Sequence, residues 1–214
     1  MADAIKINYV LTSAVPVLYP NFHEAKKAKI NGKEKGEPKF GGTFVFSSNN
    51  PDLPGLKKAA VQVARQAWPG VDLKTIKFPF KNGTTDTVNW KLDAATRAFV
   101  ADKALVKATS TFELKLSGIE NSKVVDYTGD ARIAAKPKFY GGVEVYAEFI
   151  LVPGEVDGKK YVTVYLASVL TTGRGERRAG GKSASEVFKG IVGLKTAEDP
   201  TAGMAGELDD EIPL

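Results

Sequence analysis

The 214-residue sequence contains no cysteine and only one histidine, His23. Without cysteine the chain forms no disulfide, and it offers no thiolate as a nucleophile or as a zinc ligand. With no cysteine partner and no second imidazole, His23 cannot complete the usual metal sites or nucleophilic dyads. We therefore interpret His23 as a structural residue, and we predict neither a metal ion nor another cofactor.

Long apolar segments are also missing. No stretch approaches the roughly 20 apolar residues that a membrane helix requires. The start, Met1-Ala2-Asp3-Ala4, lacks the basic residues and the apolar run of a signal peptide. With 43% apolar and 9% aromatic residues, the composition is that of a soluble globular protein with a sizeable core. We expect a cytosolic protein that does not associate with membranes.

Basic residues are absent from the C-terminal end, where residues 198–214 contain six carboxylates. Because the whole chain carries +5, residues 1–197 carry +11. A basic body with an acidic tail is typical of a polyanion-binding protein whose tail competes with the polyanion. A disordered tail that only aids solubility is the alternative, but the apolar end Ile212-Pro213-Leu214 argues against it. We predict a folded domain at residues 1–193 and a disordered acidic tail at residues 194–214.

Most of the remaining sequence shows the two-residue periodicity of β-strands. One helix is predicted from residue 53 or 54 to Trp68, where Pro69 and Gly70 end it. Residues 26–39 are rich in lysine and glycine and indicate a loop. The predicted fold is mainly β, α+β at the margin, with one or two helices. The predicted strands are 5–11, 15–19, 40–46, 105–116, 143–152 and 161–170, with a shorter one at 74–80 and one or two helical turns at 93–99.

Two of these strands predict which side chains face solvent. In residues 105–116, Lys107 and Lys115 share the outer face. The predicted inner face of that strand consists of Ala108, Ser110, Phe112 and Leu114. In residues 161–170, Tyr161 and Tyr165 face outward, and we expect a spacing of about 7 Å between them. The predicted inner face of this second strand consists of Val162, Val164, Leu166 and Leu170.

Outward aromatics among basic side chains are what single-stranded nucleic acid requires, because bases stack on aromatic rings while cations neutralise phosphates. The candidate stacking residues are Trp90, Tyr161 and Tyr165. The candidate phosphate-binding residues are Lys107, Lys115, Arg174, Arg177, Arg178 and Lys182. For each aromatic the alternative is ordinary packing in the core, and for Trp90 and Phe112 that alternative is favoured.

Residues 175–183 offer a competing motif, because a glycine-rich loop with Lys182 and Ser183 follows a strand, as in a phosphate-binding P-loop. The P-loop pattern requires glycine at position 176, which is glutamate here. The residues that follow are too few for a further strand that would deliver a magnesium-binding aspartate. A basic loop that follows a phosphate backbone is the simpler interpretation.

The tip Asp209-Asp210-Glu211-Ile212-Pro213-Leu214 is similar to the acidic tip of bacterial single-stranded DNA-binding proteins, with Leu214 in place of their terminal phenylalanine. The body resembles the phage-encoded single-stranded DNA-binding family. The segments that carry this resemblance are residues 18–22, 36–40, 124–126, 139–142, 180–181 and 184–188. The resemblance implies an OB-fold barrel that coats single-stranded DNA during phage replication, recombination or repair, with a tail that recruits protein partners.

The sequence therefore leads to the hypothesis of a non-enzymatic single-stranded DNA-binding protein, a monomer or a homodimer, in the host cytoplasm. The tail residues expected to compete for the DNA groove or to bind partners are Glu207, Asp209, Asp210, Glu211, Ile212, Pro213 and Leu214. Two alternatives stay open: a nucleotide-hydrolysing enzyme that uses residues 175–183, and a structural phage protein built on a β-barrel.

Overall fold

The computed structural model describes residues 5–30, 33–88, 90 and 92–178. None of the helices in this part of the chain is long and apolar enough to cross a membrane. The strands are β1 Ile7–Val10, β2 Val15–Ile30, β3 Lys33–Phe46, β4 Phe80–Asn82, β5 Ala104–Ser110, β6 Lys115–Glu120, β7 Lys123–Asp126, β8 Glu144–Val156 and β9 Lys159–Thr171. The helices are α1 Asp52–Ala67, α2 Ala94–Val100 and α3 Gly129–Ala134, with short 3-10 helices at Leu73–Thr75 and Lys136–Lys138.

Five of these strands close into a barrel. β2 pairs with β3, β3 with β5, β5 with β9, β9 with β8, and β8 again with β2. Only the β5–β9 pair of this ring is parallel. Numbered along the chain, the barrel strands are arranged 1-2-3-5-4, the Greek-key arrangement of an OB-fold. The expected mainly-β barrel is confirmed, and in the described part of the chain three α-helices, of 16, 7 and 6 residues, accompany it instead of one or two.

The four other strands extend the barrel sheet. β1 lies along the same edge of β8 as β2, and β4 pairs with β5. β6 pairs in parallel with β9 and carries β7 as an antiparallel hairpin partner.

The barrel interior is filled by aromatic and branched side chains from the inward faces of the strands. The Phe44 ring is buried, with centroids 4.9 Å from Phe149 and 6.4 Å from Phe22. The Phe44–Phe149 pair is edge-to-face, the geometry that the ring quadrupoles favour. Alternate residues of the same strands therefore point to the opposite, outer side of the sheet.

Helix α1 confirms the prediction for residues 53–68. Leu56, Ala60 and Val63 recur at helical spacing and are all buried. The helix packs against β1, β8 and β9. Its C-terminal end is at Trp68, next to Pro69 and Gly70, as the sequence predicts.

A buried carboxylate fixes the start of α1. Asp52 accepts hydrogen bonds from the backbone N–H groups of Thr12 and Ser13, at 2.9–3.1 Å, and from both of their hydroxyls, at 2.6–2.8 Å. Burial by itself raises the pKa of Asp52, but the hydrogen bonds from Ser13 and Thr12 outweigh it and hold that pKa below its ordinary value. The network joins α1 to the segment between β1 and β2.

The prediction of a loop at residues 26–39 is wrong, because residues 26–30 pair with residues 33–39 across the β2–β3 hairpin. Lys26 lies opposite Lys39, and Ala28 lies opposite Lys35. We call residues 24–39 the basic arm, since they contain six lysines and three glutamates. The hairpin register supplies the backbone hydrogen bonds here, so pairing overrides the low strand propensity of lysine and glycine.

The predicted strand at 105–116 is also corrected, because it breaks after Ser110. The Ser110 hydroxyl accepts a hydrogen bond from the Phe112 N–H and donates one to the Phe112 carbonyl. Arg132 donates to the Leu114 carbonyl and pairs with Glu113 at 2.9 Å, which holds the chain in the broken conformation. Phe112, predicted to be buried, is 81% exposed.

A β-bulge shifts the inner face of β9. Val162, Val164 and Leu166 are buried as predicted, but beyond them Val169 is buried instead of Leu170. Glu148 pairs with Ser168, whereas its neighbour Phe149 pairs with Leu166, so one residue of β9 is unpaired. An inserted residue reverses the side-chain alternation that follows it.

We predict that Asp52→Ala lowers the free energy of unfolding by about 2–4 kcal/mol, because it removes the buried acceptor shared by the backbone and hydroxyl donors of Thr12 and Ser13. The stabilisation by Asp52 is fully present above the ordinary pKa of 3.8 and is lost as the pH falls through the lower folded-state value. Urea unfolding at neutral and at acidic pH measures both effects. The matched control is Asp72→Ala, since that exposed carboxylate accepts one backbone hydrogen bond from Lys74. Equal losses for the two variants would contradict the prediction.

Candidate nucleic-acid interface

The outward side chains of β2, β3, β5 and β9 form a continuous surface, which we call the outer β3–β5 face. One row of cross-strand neighbours runs from Leu18 through Thr43, which are both buried, to Lys107. The next row runs from Asn21 through Gly41 and Thr109 to Tyr165, each residue paired with the next across the sheet. Lys107 is exposed, and Tyr165 is 42% exposed. An aromatic ring and a cation therefore share one face.

Gly41 allows β3 and β5 to approach closely in the middle of this face. Its φ is +149°, and a Cβ at this position would overlap the carbonyl oxygen of Ala108. A side chain would force the two strands apart. The result is a shallow floor between the basic arm and Tyr165.

Trp90, Leu92 and helix α2 cover one end of the outer face. Trp90, Leu92 and Phe99 pack against a small buried cluster formed by Leu18, Val45, Val100 and Leu105. The Nζ of Lys81 lies 5.4 Å from the centre of the Trp90 ring. Trp90 is thus half-buried at the margin of the face, part of the cover and next to a cation.

Tyr161 and Tyr165 both face outward from β9, but their surroundings differ. The Tyr161 ring packs against Gly154, its partner on β8, so closely that a Cβ on that glycine would overlap the ring. Tyr165 instead lies beside Thr109 of β5. The two tyrosines are four residues apart, or about 13 Å along a strand, so the expected 7 Å spacing is wrong.

The candidate lysines do not share one strand. Lys107 is on β5, whereas Lys115 is the first residue of β6, because the chain breaks between these strands. Lys115 pairs with Ser168 of β9, three residues beyond Tyr165. Both lysines are exposed. Lys107 lies in the centre of the outer face and Lys115 at its periphery.

The three arginines lie in the loop that follows β9. The Arg177 guanidinium is 4.7 Å from the centre of the Tyr140 ring, and that of Arg178 is 4.2 Å from the centre of the Phe99 ring. Arg178 also forms an ion pair with Glu176, whereas Arg174 is exposed. Stacking on rings orients the arginines at the surface while leaving N–H donors free. Lys182 and the tail residues Glu207, Asp209, Asp210, Glu211, Ile212, Pro213 and Leu214 lie outside the described residues.

Phe99 joins Arg178 to a further cation, Lys103, whose Nζ is 3.7 Å from the ring centre. Burial and then the charge of Arg178 lower the pKa of Lys103. An anion near this pair would be stabilised by both charges.

His23 is half-buried and lies beside an aromatic residue of the core. Its ring is 5.2 Å from that of Phe139, in an edge-to-face arrangement. Burial, Arg132 and Lys136 all lower the pKa of His23, which keeps the imidazole neutral. Among the described residues, no three His, Cys, Asp or Glu side chains are placed to hold a metal ion.

A family model described as the ssDNA-binding protein of Enterobacter phage Enc34 matches residues 8–201. The chain belongs to this family. The matched range extends past residue 193, where the sequence predicts the end of the folded domain. No curated protein matches the sequence.

Solved structures of the Enc34 single-stranded DNA-binding protein have the same fold. Its complex with ssDNA matches with a TM-score of 0.57 and 18% identity, covering 82% of this chain and 90% of that chain. A C-terminal truncation of it matches with a TM-score of 0.57 and 18% identity, over 81% of this chain and 88% of that chain. A further structure of that protein gives a TM-score of 0.56 and 16% identity, over 85% and 88%.

Several side chains at the surface of this family member were not predicted as candidates. They are Tyr19, Lys81, Phe99, Lys103, Phe112 and Tyr140. Tyr19 carries the one available signal, because Pro20 directly after it interrupts the alternation of a predicted strand. The others acquire their positions only through tertiary contacts, such as the arginine stacking on Phe99 and Tyr140.

Proposed function

We propose that the protein binds single-stranded DNA across the outer β3–β5 face and coats it during phage DNA replication, recombination or repair. The observation that carries the proposal is the exposed Tyr165 beside Thr109, with the exposed Lys107 two residues away on the same face of β5. In OB-folds the second and third strands, with the 1–2 and 4–5 loops, bind oligonucleotides. Here these elements are β3, β5, the basic arm and the β8–β9 turn. Membership of a family named for ssDNA binding supports the same function.

The aromatic side chains are proposed to stack on bases, and the basic side chains to neutralise phosphates. Tyr165 offers a ring face on which a base stacks, worth about 1–3 kcal/mol. Trp90 and Tyr161 extend the set of aromatics at the margins of the face. The cations that neutralise phosphates are Lys107 at the centre, Lys115 at the periphery, and Arg174, Arg177, Arg178 and Lys182 in the loop after β9.

The proposed role is binding without catalysis, in the cytoplasm of the bacterial host. His23, the one imidazole in the sequence, packs edge-to-face on Phe139, and burial lowers the pKa of its imidazole. Stacking and phosphate contacts tolerate any base sequence, as coating requires.

The acidic tail is proposed to compete with DNA for the same cations and to recruit replication or repair proteins. Six carboxylates attached to a body of +11 reach a high effective concentration at the basic surface. Single-stranded DNA displaces the tail because it adds base stacking to charge.

We predict that affinity for oligo(dT) falls with salt and that Lys107→Ala makes the log–log slope less negative by about 0.7. Loss of one phosphate contact removes one released counterion, so the affinity loss is largest at low salt. Fluorescence titrations over a range of salt concentrations measure the slope. Lys58→Ala, on the exposed face of α1, is the matched control and leaves the slope unchanged. A salt-independent affinity of the wild-type protein would refute the proposed function.

We predict that Tyr165→Ala weakens oligo(dT) binding by about 1–3 kcal/mol and leaves the salt slope and the fold intact. Tyr161→Ala, at the margin of the same strand face, is expected to weaken binding less than Tyr165→Ala does. It also lowers the free energy of unfolding by about 1 kcal/mol, because its ring packs on Gly154. Titration and urea unfolding of both variants separate stacking on DNA from packing. Loss of the fold in Tyr165→Ala would show that Tyr165 has a structural role.

We predict that deleting residues 198–214 tightens DNA binding several-fold at low salt and weakens discrimination against duplex DNA, because the competing carboxylates are removed. A full-length variant with the six carboxylates changed to amides is the matched control and separates charge from chain length. Mobility shifts with single-stranded and duplex oligonucleotides measure both effects. Unchanged low-salt affinity after truncation would leave the tail a role in partner binding alone.

A further inference from the structure

A groove of about 390 Å³ lies next to the outer β3–β5 face. Three separate parts of the chain meet around it: β2, the segment before β8, and the loop after β9. The side chains used below are Tyr19 and Pro20 from β2, Lys136, Pro137 and Tyr140 from the segment before β8, and Arg177 from the loop. We call this the Tyr19 groove.

Tyr19 has a backbone conformation that is unusual for a residue with a side chain. Its φ is +52°, in the middle of a strand, where the pairing of β2 with β3 shifts register between Leu18 and Asn21. The left-handed region costs about 1–2 kcal/mol for such a residue. In return the ring is turned out of the barrel and is 46% exposed. Strain that serves to expose an aromatic ring points to a role in binding.

The opposite walls of the groove are fastened to the barrel. The Gly142 N–H donates to the Val17 carbonyl at 2.7 Å, and the Tyr140 hydroxyl donates to the Gly175 carbonyl at 2.9 Å. A Cβ at Gly142 would overlap the carbonyl oxygen of Glu176, so the loop after β9 lies directly against this segment. The groove is therefore preformed, which lowers the entropy cost of binding.

The groove is positively charged. Lys136 is exposed, and the Arg177 guanidinium lies over the Tyr140 ring. Among the described residues, neither cation forms an ion pair with a carboxylate. Asp93 is the nearby opposite charge, but its carboxylate accepts two hydrogen bonds from Thr96, at 2.7 and 2.9 Å. Both cations are thus available to an anionic ligand.

The groove continues the outer β3–β5 face. Asn21, two residues after Tyr19, pairs with Gly41, which is followed across the sheet by Thr109 and Tyr165. Three interstrand spacings separate Asn21 from Tyr165, or about 14 Å. A strand of nucleic acid that stacks on Tyr165 can therefore reach the groove along one continuous surface.

We propose that the Tyr19 groove holds one nucleotide of the bound single strand, with its base stacked on Tyr19 and its phosphate contacted by Arg177 and Lys136. The proposal rests on the single-stranded DNA-binding function proposed above. Pro20 and Pro137 supply apolar sides without backbone N–H groups, so the groove accepts any base. A base in a duplex has both faces covered by its stacked neighbours, so the groove selects single strands.

The experiment measures affinity for labelled oligo(dT) from about 4 to about 16 nucleotides, the site sizes known for OB-folds. For the longer oligonucleotides, Tyr19→Ala is expected to weaken binding about five-fold to a hundred-fold without changing the salt slope. Arg177→Gln is expected to reduce the steepness of the slope by about 0.7. The double variant is expected to lose less binding free energy than the sum of the losses in the two single variants, because both side chains hold the same nucleotide.

Control variants separate the groove from the rest of the surface. Tyr19→Phe keeps the ring and retains wild-type affinity. Tyr19→Asn removes the ring but keeps a residue that tolerates positive φ, which preserves the test if the alanine variant fails to fold. Arg65→Gln, exposed on α1, removes a charge far along the chain from the groove and leaves the slope unchanged.

Photo-crosslinking provides an independent readout on the wild-type, full-length chain. An oligonucleotide with 5-iododeoxyuridine is expected to crosslink to Tyr19 as well as to Tyr165. Crosslinks at Tyr165 alone, with wild-type affinity in the Tyr19 and Arg177 variants, would overturn the groove proposal and leave the DNA-binding function standing. Absence of oligonucleotide binding by the wild-type protein would overturn both. Binding of free deoxynucleotide to the groove, with no effect of Tyr19→Ala on oligonucleotide affinity, would also overturn the groove proposal.

Discussion

Closure of the barrel is the constraint on which the rest of the structure depends. A five-stranded sheet closes only if its strands tilt and bend enough for the first to meet the fourth. β2 achieves this by pairing with β8 at Val15 and with β3 from Val17 onward. Its register shifts after Leu18, where Tyr19 adopts positive φ. The irregularity that lets β2 leave the barrel for the basic arm is therefore also the one that exposes the Tyr19 ring.

Closure also determines what the outer surface can present. Because side chains alternate along each strand, filling the interior with Phe22, Phe44 and Phe149 assigns Lys107 and Thr109 to the outer face. The parallel contact between β5 and β9 is a single pair, Thr109 with Tyr165. That one pair completes the ring and also places an aromatic from the last barrel strand beside a cation from the third.

The sequence was sufficient for the regular parts of the fold, and it failed where side chains or inserted residues interrupt the regularity. α1 follows from the spacing of Leu56, Ala60 and Val63 and from Pro69. The break after Ser110 depends on the Ser110 hydroxyl, which bonds to the backbone of Phe112. In the sequence, the alternation of apolar and polar residues continues across this break, so the pattern does not reveal it. The bulge in β9 likewise leaves no mark in the pattern of Val169 and Leu170. The break changes the positions of Lys115 and Phe112, whereas the bulge only exchanges Val169 for Leu170 on the buried face.

In the candidate site, too, some residues are predictable from the sequence and others are not. Tyr165 and Lys107 follow from strand alternation, so the sequence identified them as outward residues. Tyr19, Tyr140 and Arg177 belong to segments far apart in the chain, and only tertiary packing brings them to one groove. A cation is recognisable in a sequence as a charge, but the ring over which it lies is not.

Charge and stacking contribute different kinds of selectivity to such a surface. Phosphate neutralisation by lysine and arginine is available to any nucleic acid and to an acidic peptide, so +11 by itself does not distinguish single strands from duplex or from the tail. Stacking on Tyr165 and Tyr19 is available only to a base whose face is uncovered. In the function proposed above, single-stranded and duplex DNA must displace the same acidic tail, so the tail lowers both affinities by the same factor. Duplex DNA, which binds through charge without stacking, then falls below a useful affinity first, and single-stranded DNA stays bound.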